Sequence, residues 1–138
     1  MTEPPGRDPV SLVPLTAATP ATPTERFTAD MAAEGAPIRG AGNQLLFDVL
    51  VPSGPLAGQT VATGVSVSEV QGWPLSPPHW VHVPDSVVIE PTNSDTTDCP
   101  PGWRRHSRDL GPVDLSIPLA RTWLRHVRGL LAIARPAT

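Results

Sequence analysis

The chain has 138 residues, 39% of them hydrophobic and 17% charged, enough apolar material for one domain with a core. Its net charge of −3 supplies no basic field for a phosphate backbone, so nucleic acid is not an expected partner. No apolar run is long enough to span a bilayer, no apolar leader opens the sequence, and one cysteine makes neither an internal disulfide nor a multi-thiolate zinc site; the expectation is a cytoplasmic chain with no membrane, metal or cofactor.

In chain order, residues 1–23 carry six prolines among Thr, Ala and Ser and read as a disordered Pro/Thr-rich tail, with a small apolar spot at Ser11–Leu15, ahead of a single domain over 24–138. The segment Thr24–Gly35 predicts a short helix, with Thr24 as N-cap, Phe27 and Met31 on one face and Gly35 as the stop. Gln44–Val51 reads as a strand, Pro52–Gly58 as a turn, and Gln59–Val70 as an alternating strand with Val61, Thr63, Val65, Val67 and Glu69 on one face. Two strands so joined predict an antiparallel hairpin. Trp80–Val83 and Val87–Ile89 are further strand pieces, parted by Pro84-Asp85. Glu90–Asp114 has neither helical nor strand period and reads as one long loop of the functional kind. A final helix begins near Ser116 and Pro118, carries Leu119, Trp123, Val127, Leu130, Leu131 and Ala134 as its apolar stripe, and ends before Pro136. The order argues for an α+β fold, an antiparallel β-meander with an N-terminal and a C-terminal helix packed on one side.

The only thiol, Cys99, lies in that long loop, downstream of Trp73-Pro74-Leu75-Ser76-Pro77-Pro78 and the strand that follows it. This order resembles the core of the ubiquitin-conjugating (E2) family, in which a Tyr-Pro-x-x-Pro-Pro turn opens a strand and the catalytic cysteine follows at nearly this distance. The likeness runs from about Gln44 to Leu131, and Gly102-Trp103-Arg104-Arg105-His106-Ser107-Arg108 is similar to the bacterial E2-like branch, found beside E1-like and ubiquitin-like partners in modification and antiphage defence operons. The resemblance implies a UBC-like fold and an E2-like carrier. Such a carrier accepts a ubiquitin-like modifier as a thioester on Cys99 from an E1-like activating enzyme and transfers it to a target protein. The alternative is a non-catalytic E2-like module that binds a modifier or E1 as a scaffold. A third reading is an unrelated α+β protein with an incidental cysteine. The family's His-Pro-Asn tripeptide is absent; Glu90-Pro91-Thr92-Asn93 stands in its place, and Pro100-Pro101 follows the cysteine.

The chemistry assigns the remaining roles. An ordinary thiol ionises near pH 8.5, and cations raise its thiolate fraction, so Arg104, Arg105 and His106 favour a reactive Cys99 while Asp95 and Asp98 oppose it. Asn93 is the first candidate to meet the oxyanion and His106 the second. Asp98, His106 and Asp109 are candidates to accept or orient the acceptor's proton. Each has a plainer reading: a small buried hydrophobe for Cys99, a loop hydrogen-bonder for His106, solvated charges for Asp98 and Asp109. His79 and His82, alternating about Trp80, lack a third ligand at metal spacing and read as structural or surface residues. All ten basic residues are arginine, which fits a GC-rich genome and also leaves no lysine ε-amine for self-modification.

Overall fold

A computed structural model describes residues 22–137, so the reading of residues 1–21 lies outside the described part. Helix α1, Pro23–Ala33, has its N-cap two residues earlier than its pattern suggested. Thr22, not Thr24, is the N-cap: its Oγ1 accepts from the Glu25 amide, and the Glu25 carboxylate accepts from the Thr22 amide in return. Proline at the first helical position fits because its missing N–H would have had no partner there. Gly35 follows the helix with φ of 82°.

Strands β1 (Arg39–Ala41), β2 (Gln44–Leu50) and β3 (Thr60–Ser66) then form an antiparallel meander. The turn between β2 and β3 is pressed against the far end of the second helix. At Gly54 (φ 87°) a Cβ would collide with the backbone carbonyl of Ala132, so glycine is needed there. The expected strand to Val70 stops instead at Ser66, where a 3₁₀ turn, Val67–Val70, begins; the Ser66 amide donates to the Glu69 carboxylate. A Ser-x-x-Glu pattern is a helix-start signal, and it overrides the alternation of valines.

Strand β4 (Val81–Pro84) joins β3, and a short β5 (Val87–Val88) pairs with β8 (Arg135–Pro136) beyond the last helix. The presumed long loop holds two further strands, β6 (Asn93–Asp95) and β7 (Trp103–Ser107), and β7 inserts between β4 and β6. The sheet order is β1-β2-β3-β4-β7-β6, all of it antiparallel. Helix α2 spans Leu119–Ala132. The fold is α+β, a mostly antiparallel sheet with two helices, and among the described residues no helix is long and apolar enough to cross a membrane.

The core lies between the sheet and the helices. Phe27 of α1, Phe47 of β2, Trp73 and Trp123 of α2 meet edge to face, with centroids 5.0, 5.5 and 5.9 Å apart, a geometry worth roughly 0.5–1.5 kcal/mol per pair beyond burial. The indoles also spend their N–H groups, Trp73 on Asp30 and Trp123 on the Pro78 carbonyl. The α2 stripe is buried as read at Trp123, Val127, Leu130 and Leu131, with Ala120 and Leu124 added and Leu119 only half-buried.

Candidate active site

Because side chains alternate along a strand, the register divides the sheet into two faces. Leu45, Phe47, Val49, Val61, Val65, Val81 and Val83 point to the helices. The row Gly64–His82–Arg105–Asp95, one residue from each of β3, β4, β7 and β6, lies on the other side. Polar side chains there would face water, except that the Val67–Val70 turn and the β6–β7 loop fold over them.

Cys99 sits in that loop, partly exposed. Its amide closes a tight turn on the Thr96 carbonyl, and Asp98 just before it is left-handed at φ 59°. Two bonds pin Asp98: Gln44 Nε2 donates to its carbonyl at 2.6 Å and Ser68 Oγ to its carboxylate at 3.2 Å. The result aims the Cys99 sulfur at the sheet, 3.5 Å from His82 Nδ1. His82 is wholly buried, and its Nε2 lies 2.9 Å from the Glu69 carboxylate. A carboxylate is an acceptor only, so Nε2 carries the ring proton and Nδ1 presents its lone pair to the thiol. Thiol, imidazole and carboxylate thus stand in the nucleophile–base–orienter order.

Arg105 locks this row. Its Nη1 donates to Glu69 at 3.2 Å and its Nε to Asp95 at 2.7 Å, while the guanidinium lies 3.9 Å over the Trp80 ring. Burial pushes the Glu69 carboxyl up, but the hydrogen bonds from His82, the Ser66 amide and Arg105 outweigh it, so Glu69 titrates below the usual range. Asp95 is held down to about 2 by the Arg105 hydrogen bond and the Thr97 amide. The Cys99 thiol moves the other way, to about 11: burial raises it, Glu69, Asp95 and Asp98 add to that, and Arg105 opposes them. At neutral pH the Cys99 thiol therefore keeps its proton.

The residues expected from sequence separate into two groups. Asp98 adjoins Cys99 and shapes its turn, with an exposed carboxylate already bonded to Ser68. Asn93, paired with Ser107 on the edge strand, lines a groove of about 430 Å³ with Arg108, Asp109 and His126; Cys99 does not line it. His106 pairs with Val81 and so faces the helix side, where its Nδ1 bonds Thr92 at 2.8 Å and burial lowers its pKa. The imidazole beside the thiol is therefore His82, and neither it nor Glu69 was picked out as functional from sequence. The signals were present: His82 is the one polar residue in the apolar run Trp80–Val83, and Ser66-x-x-Glu69 marks a turn that lifts Glu69 over the sheet. Among the described residues no group of three or more His, Cys, Asp or Glu is arranged to hold a metal.

Compared with known families, with curated proteins and with solved structures, the chain matches none.

Proposed function

We propose that the protein is an E2-like acyl carrier of the UBC-like kind. In this reading Cys99 accepts a ubiquitin-like modifier as a thioester from an E1-like activating enzyme and passes it to a target protein. The observation that carries the reading is the partly exposed Cys99 sulfur 3.5 Å from an imidazole that Glu69 orients. Supporting it are the antiparallel sheet with both helices on one side, the Trp73–Pro78 turn ahead of β4, and the thiol further on, in the loop between β6 and β7.

In this reading the first step runs through His82. As sulfur attacks the carbonyl carbon of an incoming thioester, His82 Nδ1 takes its proton; the C–S bond to Cys99 forms, the bond to the donor sulfur breaks, and the proton leaves with that sulfur. Glu69 stabilises the imidazolium that appears between these events. A thiol near pKa 11 has roughly one thiolate in 10⁴ at pH 7, so concerted removal of the proton matters more here than for a free cysteine. A thiol used this way needs a reducing compartment, so the reading carries a cytoplasmic location with it.

One observation favours the scaffold alternative: the surroundings of Cys99 oppose its ionisation. The two separate cleanly. With an E1-like enzyme, its modifier and ATP, the carrier forms an adduct that reducing thiols cleave and that Cys99→Ala abolishes. A scaffold binds the modifier or the E1 equally well with alanine at 99 and forms no adduct.

A further inference from the structure

The geometry points to a second activity at this site: His82, backed by Glu69, takes the proton of an O–H acceptor, so that an acyl group on Cys99 passes to a hydroxyl side chain or to water. The inference rests on Cys99 carrying an acyl group, as proposed above, and names the class of acceptor. A neutral amine attacks a thioester with its own lone pair and needs no base held beside the sulfur. A hydroxyl does so only if its proton is removed in the same step. In the second half of the cycle a buried His–Glu pair is therefore worth most to an oxygen acceptor.

The groups around the sulfur fit an oxygen acceptor. Glu69 already receives His82, Arg105 and the Ser66 amide; Asp95 receives Arg105 and the Thr97 amide; Asp98 receives Ser68. Once Cys99 is acylated its S–H is gone, and the Nδ1 lone pair that met it is left facing the thioester. The Glu69 carboxylate bonded to Nε2 faces the imidazolium that forms when the proton arrives. The step balances. The acceptor's O–H proton moves to Nδ1, oxygen bonds to the acyl carbon, the C–S bond breaks, and Nδ1 returns the proton to the departing sulfur. A neutral thiol is restored and no co-reactant is consumed.

The test needs no protein partner. The full chain is treated with p-nitrophenyl acetate, and intact-mass spectrometry follows the acetyl group on Cys99 in the presence of N-acetylserinamide, N-acetyl-lysinamide or buffer alone. The expected result is acetylation of Cys99 and turnover to the serine ester and to acetate, the two arms separating a hydroxyl from water. His82→Gln should slow turnover to both oxygen acceptors by about 100-fold and leave the lysine arm within about threefold. An acetyl thioester that leaves only to the amine, or a His82→Gln variant that slows every acceptor alike, overturns this inference and spares the carrier reading. No acetylation of Cys99 overturns both. If His82→Gln loses its fold by circular dichroism, the comparison of acceptors on the unaltered protein decides the matter alone.

Discussion

The two faces of the six-stranded sheet are made by the same strands and held by different physics. Toward the helices, Phe27, Phe47, Trp73, Trp123 and the valines of β2, β3 and β4 exclude water, and their stability comes from area and close packing. Away from the helices the row Gly64–His82–Arg105–Asp95 carries charge, with Glu69 and the Cys99 loop brought in from outside the sheet. Ion pairs this close to the interior repay little net stability once desolvation is counted. Their physical value lies in fixing one proton arrangement, so the apolar face supports the fold and the polar face holds the groups on which the proposed chemistry rests.

That contrast can be broken from either side. Trp123→Ala empties the centre of the apolar face and should cost about 3–5 kcal/mol, read as a large fall in Tm, with the polar row untouched until the protein unfolds. Glu69→Gln should cost less, about 1.5–3 kcal/mol, because charged hydrogen bonds from His82 and Arg105 are weakened. Unlike Trp123→Ala, it should slow Cys99 acylation in the folded protein, since the imidazole loses its anchor. If acylation by p-nitrophenyl acetate were unchanged in folded Glu69→Gln, the polar row would have no chemical role.

Acid sharpens the comparison further. Asp95 titrates at about 2 in the folded chain against about 4 when unfolded, so the unfolded state binds more protons between those values. The stability that the Asp95–Arg105 pair supplies is present above pH 4 and lost as pH falls toward 2. Asp95→Asn should flatten that part of a Tm-versus-pH curve. At the alkaline end an effect of similar size is expected. The folded thiol near 11 holds its proton longer than an unfolded one near 9, so its contribution is complete below pH 9 and fades through 11; Cys99→Ala removes it.

Sequence periodicity revealed the apolar face and most of its elements. The i, i+4 pair Phe27 and Met31, the β2–β3 hairpin and the α2 stripe all follow from spacing, because burial leaves a regular imprint on a helix or strand. The polar face left weaker traces. Strand β7, Trp-Arg-Arg-His-Ser, has no apolar alternation because its outward Arg105 is held by ion pairing and its inward His106 by Thr92. Cys99 was legible as the single thiol in a hydrophilic loop. Its partner His82 lies 17 positions earlier, on β4, and only the β4–β7 register with the left-handed turn at Asp98 brings the two together. Such contacts depend on three-dimensional register, which a one-dimensional pattern does not encode.

The most direct measurement is the rate of Cys99 alkylation by iodoacetamide from pH 7 to pH 11, in the unaltered protein and in His82→Gln. With a neutral resting thiol that lends its proton to His82, the unaltered protein should react about 100-fold faster at pH 7, and the gap should close as pH approaches the thiol's own ionisation near 11. Equal rates for the two proteins at pH 7 would contradict the account.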